Sequence, residues 1–199
     1  AKMAARERIL DAARERFSRF GVRRTTMEEV SREAGLARAT VYLHFPGKAA
    51  LYRELLEADS EELLREIETA VEESDGALEG IRRLFRVTLD HYRNNRVLWH
   101  ALSEDPEFCL SEEARPLRGE HERRLMSVLE NAIRRGMREG SIRRLRAADV
   151  AFVMFTAGRD IIDRALSEGD DYPFKSMMKT LSDVMAHGIL AGQTRSGAR

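Results

Sequence analysis

The chain has 199 residues, 43% hydrophobic and 34% charged, with a formal net charge of zero and one cysteine. No run approaches 18 consecutive apolar residues, the Ala-Lys-Met-Ala-Ala-Arg-Glu-Arg start lacks an apolar signal core, and Cys109 alone rules out an internal disulfide. A cytoplasmic protein without membrane spans or a secretory leader is therefore expected, with Cys109 inert in a reducing compartment. The first helix is expected over residues 3–20, with Ile9, Ala13, Phe17 and Phe20 inward and Gly21 closing it. A second helix begins at Met27. Thr26 offers a hydroxyl to the unpaired amides of its first turn, and Glu29 three residues on completes a capping box. Met27, Val30 and Ala34 form its apolar stripe, Ser31 is small enough for a close helix crossing, and Gly35 ends it by tolerating positive φ. Leu36 is a turn anchor that points inward.

A third helix is expected from about Arg38 to His44, with Val41 and Phe45 toward the core. Arg38, Ala39, Thr40, Tyr42, Leu43 and His44 remain on its outer face or edges. Pro46 stops it. Lys48 then falls in the first turn of the next helix, against the helix dipole, a conflict that an external anion would remove. Helix, glycine turn and helix in this order spell a helix-turn-helix, whose second helix enters the major groove with its N-terminal residues at base edges. Arg38 is the candidate for direct readout, since a guanidinium bridges guanine O6 and N7. Ala39 and Leu43 offer apolar contact to a thymine methyl. Thr26, Thr40, Tyr42 and Lys48 suit phosphates, and His44 completes the DNA-facing set. The alternative is an ordinary helical hairpin with a solvated face.

The zero net charge conceals an asymmetry. Residues 1–48 carry eleven Lys or Arg against six acids, a balance of +5, and the rest carries −5. The cationic side coincides with the motif, as phosphate binding requires. Arg6, Arg8, Arg23 and Arg24 extend the contact or are solvated surface arginines.

The rest reads as helix without repeats or strand patterns. A helix over 47–73 reaches about 40 Å at 1.5 Å per residue, long enough to join two domains. Ser74-Asp75-Gly76 breaks it. Further helices are expected over 77–94, 96–104 (ended by Asp105-Pro106), 112–139, 147–167 and 173–191, and residues 193–199 form a tail. The helix over 147–167 is apolar nearly all round (Val150, Phe152, Val153, Met154, Phe155, Ala157, Ile161, Ile162), and such a helix must be buried on several sides. The last helix is similarly broad, with Phe174, Met177, Met178, Leu181, Val184, Met185 and Ile189. With their two-fold mates these two helices would form an isologous four-helix interface, or both are simply core.

Residues 6–56 resemble the N-terminal domain of tetracycline-repressor-like (TetR family) transcriptional regulators. The matching pieces are Ile9-Leu10-Asp11-Ala12-Ala13, Phe17, Gly21-Val22, Thr25-Thr26-Met27, Ala34-Gly35-Leu36, Thr40-Val41-Tyr42, His44-Phe45-Pro46, Lys48 and Leu51-Tyr52. Two positions depart from the family pattern. Ala37 stands where Ser or Thr usually caps the recognition helix, and Leu43 where a polar or aromatic residue is common. The resemblance implies an all-α homodimer. Its N-terminal three-helix DNA-binding domain (1–48) precedes a larger helical effector-binding and dimerisation domain (49–192) that binds a small effector and releases DNA.

Enzyme chemistry finds no support in the sequence. The five histidines (44, 91, 100, 121, 187) show no metal spacing, and no phosphate loop or nucleophile elbow is present. No catalytic residue, metal or cofactor is expected. His121, on a mostly apolar face, reads as a satisfied semi-buried residue rather than a ligand. An effector pocket is expected among the middle helices, walled by Phe85, Leu89, Tyr92, Trp99, His100, Leu102, Met126, Phe152 and Phe155. Each of these is also a candidate for plain core. The expectation is a homodimeric repressor released from a palindromic operator in double-stranded DNA by a small, largely apolar effector. The alternative is an effector-independent dimeric regulator whose C-terminal domain only dimerises.

Overall fold

A computed structural model describes residues 2–103 and 110–189. Their regular structure is helical, without a strand. The helices are α1 (Lys2–Phe20), α2 (Met27–Glu33), α3 (Arg38–His44), α4 (Lys48–Glu72), α5 (Ala77–Asn94), α6 (Arg96–Leu102), α7 (Ser111–Glu139), α8 (Ala147–Glu168) and α9 (Phe174–Ile189), with a 3-10 turn over Gly169–Asp171 before α9. Among the described residues no helix is long and apolar enough to cross a membrane. Cys109, the Asp105-Pro106 stop and the expected tail lie outside the described residues.

Two compact units make up the chain, Ala1–Leu64 with His91–Glu122, and Arg65–Asp90 with Arg123–Arg199. The head expected over 1–48 lies wholly in the first unit. Ile9, Ala13 and Phe17 of α1 are buried, and the Phe17 ring meets Tyr52 edge-on at 5.9 Å. Phe20, expected inward, is instead 38% exposed. It closes the helix, where no further turn covers it, and the guanidiniums of Arg16 and Arg19 lie 4.0 and 5.2 Å from its ring.

The middle of α4 carries charge into this core. Asp59 is fully buried. It accepts from Arg14 Nη2 on α1 at 2.7 Å and from Asn95 Nδ2 at 2.6 Å. Asn95 in turn caps α6 by accepting from the amide of Leu98. The next residue, Ser60, pairs with His121 Nδ1 at 2.7 Å, and Tyr92 reaches His121 Nε2 at 3.3 Å. His121 is therefore satisfied, and is buried rather than half-buried. Buried polar groups persist only when partnered, so these contacts fix the relative placement of α1, α4, α6 and α7 within the unit.

In the second unit, Ile81, Leu84 and Phe85 of α5 and Leu125, Leu129 and Ile133 of α7 are buried, as are Met154, Phe155, Ile161 and Ile162 of α8. Gly158 is required by the packing, because a Cβ there would sit 2.0 Å from the Phe85 ring. Among the described residues α8 is not enclosed on all sides. Phe152 and Val153 are 59% and 53% exposed, and Met177 and Val184 of α9 are also exposed.

Candidate nucleic-acid interface

The segment from Thr26 to Lys48 is assembled by local contacts. Thr26 is extended (φ −104°, ψ 158°), its Oγ1 accepts from the Glu29 amide at 3.3 Å, and its own amide donates to Glu29 Oε2 at 2.8 Å. The Thr26 amide and hydroxyl, which both donate to Glu29 Oε2, stabilise the ionised carboxyl and hold it below the usual carboxylate range. Gly35 turns the chain at φ +61°, a conformation costly for a residue with a Cβ. The Arg8 guanidinium clamps this turn from α1, donating to the Ala34 carbonyl at 2.7 Å. Ser31 is buried, as a close crossing of α2 and α3 demands.

The recognition helix α3 has no side-chain cap at Ala37 and buries only Val41, with Phe45 buried just beyond its end. The remaining six positions form the outer face. Arg38, Ala39, Tyr42 and Leu43 are exposed, Leu43 by 84%, while Thr40 and His44 are half-buried. Seven of the eight proposed DNA-facing residues thus lie on α3 or at the start of α2. Arg38 is not free on this surface. Its Nη1 pairs with Glu28 Oε1 at 2.7 Å, and its guanidinium lies 5.3 Å from the Tyr42 ring centroid.

Lys48, the eighth, has an internal role. Its Nζ donates to the carbonyls of Arg23 and Thr25 at 3.0 and 2.8 Å. The unfavourable position at the start of α4 is therefore answered by two backbone oxygens from the α1–α2 connection. Burial pushes this ammonium below the ordinary lysine range, and Arg23 adds to the shift. Of the flanking arginines, Arg8 holds the turn, and Arg6 pairs with Glu54 and stacks 4.8 Å over Phe45. Arg23 and Arg24 are exposed.

Glu28 is the site residue that sequence reasoning missed, and Arg8, read there as a contact extension or a solvated arginine, clamps the turn instead. Glu28 meets Arg38 only because α2 and α3 cross, which no helical spacing announces. An arginine that clamps a carbonyl carries no motif.

The residues proposed for an effector pocket divide between the units. Tyr92, Trp99 and His100 are buried in the first, and Leu102 is half-buried there. Phe85, Leu89 and Phe155 are buried in the second, and Met126 is half-buried. Phe152 is corrected. It points out of α8 into solvent, because the inward side of that turn is taken by Ala151, Met154 and Phe155. Two clefts of the second unit, of about 470 and 380 Å³, are lined largely by charged side chains and by none of these residues. Among the described residues no group of His, Cys, Asp or Glu is placed to hold a metal ion.

A capped helix, a left-handed glycine turn and a short helix that buries one side chain and presents the others define a helix-turn-helix DNA-binding protein. Residues 9–55 match the family model described as bacterial regulatory proteins, tetR family. Over 146 residues the chain is 26% identical to an uncharacterised HTH-type transcriptional regulator, YhgD of Bacillus subtilis, covering 73% of this chain and 76% of that one. Its fold matches the crystal structure of a transcriptional regulator from Saccharomonospora viridis in complex with choline (TM-score 0.79, 22% identity, 94% and 97% of the two chains). It also matches FadR from Bacillus subtilis in complex with stearoyl-CoA (TM-score 0.74, 19% identity, 92% and 98%). Over residues 9–55 the chain is thus similar to the TetR-type DNA-binding segment, and YhgD, which it resembles along most of its length, is an HTH-type transcriptional regulator.

Proposed function

We propose that the protein is a homodimeric repressor that reads a palindromic operator with α3 and leaves it when a small, largely apolar effector binds the helices beyond residue 48. The observation that carries the DNA-binding half is the face of α3, where six of seven side chains stand outside the core around Arg38. Two such helices held about one DNA turn apart reach successive major grooves. Dimerisation is supported by Phe152, Val153, Met177 and Val184, apolar side chains that a single chain leaves in water. An isologous contact through α8 and α9 would cover them. Release follows from a population shift, in which an effector that prefers another packing of the helices after α4 lowers the fraction competent for DNA.

Selection of bound sequences from a random duplex library tests the reading. A palindromic winner whose affinity falls steeply with salt is the expected result. Failure to enrich any sequence would overturn it. Phe152→Asp should shift sedimentation toward monomer and weaken operator binding, and an unchanged dimer would remove α8 from the interface. One observation favours a second reading, in which the C-terminal region only dimerises. Phe85 is packed against Gly158, and Leu89 and Phe155 are closed core. Thermal shift and operator titration with choline and stearoyl-CoA as probes separate the two. A ligand that stabilises the protein and weakens operator binding favours the repressor with an effector.

A further inference from the structure

We infer that Glu28 is a specificity-determining residue, which sets the base preference of the DNA face by holding the Arg38 guanidinium. The inference rests on the reading that α3 enters the major groove with Arg38 at base edges. Glu28 lies in the first turn of α2, where a carboxylate suits the helix dipole. Its Oε1 lies 2.7 Å from Arg38 Nη1, an ion pair made across the crossing of the two helices. One turn further along α3, the Tyr42 ring lies 5.3 Å from the same guanidinium. Arg38 is thus held by a carboxylate on one edge and an aromatic ring nearby, on a helix whose N-cap, Ala37, supplies no side-chain bond.

The consequence is geometric. Guanine is recognised when two parallel N–H groups reach O6 and N7 together, and a long arginine side chain must be ordered to do so. With Nη1 engaged by Glu28, the Nε and Nη2 donors form the remaining fork. That fork is the two-donor edge left to meet a guanine while Glu28 holds the other side of the guanidinium. In free solution the pair is exposed, at 63% and 44% for the two side chains, and is weak there. Docking on DNA excludes water from it and strengthens it.

Glu28 also has an electrostatic effect of opposite sign. It places a negative charge on the face that meets phosphates, within the basic first 48 residues. It therefore lowers affinity for DNA of any sequence while raising discrimination among sequences. A residue with only a structural role would not change the two in opposite directions.

The test compares the wild type, Glu28→Gln, Arg38→Ala and the double variant. Each is titrated on the duplex selected by the wild type, on every single-base-pair variant of it, and on random duplex. Glu28→Gln keeps shape and folding, which thermal unfolding verifies. It should bind random duplex about two- to five-fold more tightly at low salt, as loss of one repulsive charge among phosphate contacts implies. It should lose about ten-fold of discrimination at one base pair, within the range that a bidentate contact supplies. Arg38→Ala should flatten the same base pair, and the double variant should match Arg38→Ala rather than add to it. If Arg38→Ala flattens one position and Glu28→Gln leaves it intact, Glu28 is not a positioning residue and the major-groove reading stands. A preference lost at a different position in Glu28→Gln means that the carboxylate itself reads a base, such as a cytosine amine, and overturns the inference. If Arg38→Ala changes no base preference, the reading beneath the inference fails.

Discussion

Asp59 is the most demanding residue in the DNA-binding unit, a carboxylate with 1% side-chain exposure held by one cation and one amide. In Asp59→Ala, Arg14 loses the bonds from Nη2 at 2.7 Å and Nε at 3.3 Å, and Asn95 loses its acceptor at 2.6 Å. Removing one partner of a fully buried ion pair costs about 3–5 kcal/mol. Arg14 is 34% exposed and keeps Asp11 at 2.8 Å, so it recovers water and one carboxylate. That places the charge contribution near the lower end of the range. The stranded Asn95 amide adds about 1 kcal/mol, although its capping of α6 survives. The expected loss is about 3 kcal/mol, or roughly 6–12 °C in midpoint for a chain of this length. Urea unfolding followed by far-ultraviolet circular dichroism, at fixed protein concentration, measures it. Arg14→Ala, which leaves the carboxylate buried without its cation, should cost at least as much, and the double variant clearly less than the sum. A loss below about 1 kcal/mol for Asp59→Ala, or simple additivity, would refute the account of Asp59 as the pin between α1, α4 and α6.

Three further outcomes are expected. Gly158→Ala drives a Cβ to 2.0 Å from the Phe85 ring and should cost about 1–3 kcal/mol, with Phe85→Leu in the same chain restoring part of it; equal stability to wild type would mean the helices slide apart freely. Lys48→Met removes two donors to the carbonyls of Arg23 and Thr25 and should cost about 1–2 kcal/mol in unfolding; weakened DNA binding at unchanged stability would instead make Lys48 a phosphate contact. Because the folded Glu29 carboxyl lies below the usual carboxylate range, its stabilising contribution is complete above the ordinary glutamate value and disappears as the pH falls through the lowered one. Wild type and Glu29→Gln should therefore converge in stability on acidification, and a constant difference down to strongly acid pH would contradict the capping box.

Much of the α2–α3 unit was legible because its determinants are close in sequence. Thr26, Glu29, Gly35, Val41 and Pro46 act within one or two turns of themselves, and the capping box, the left-handed turn and the buried valine occur where those residues predict. The bounds of α5 follow equally from Gly76 before it and the apolar spacing within it. The eight candidate DNA-facing residues were placed on one segment by the same logic, because helical spacing determines which side chains share a face.

Other features had no local cause. Phe20 falls on the apolar stripe of α1, yet it sits at the helix end, part-exposed beside the guanidiniums of Arg16 and Arg19. Phe152 is one apolar residue among many in α8, and nothing in its spacing tells a core wall from a face left in water. By itself the sequence determined the all-α class, the helix ends and the outward face of α3, since these depend on backbone propensity, capping and period. Only the tertiary structure decided that Arg14 serves Asp59, that Glu28 holds Arg38 and that Lys48 serves two carbonyls. Pairs 45, 10 and about 23–25 residues apart meet through helix crossings, and charge follows no period that could announce them.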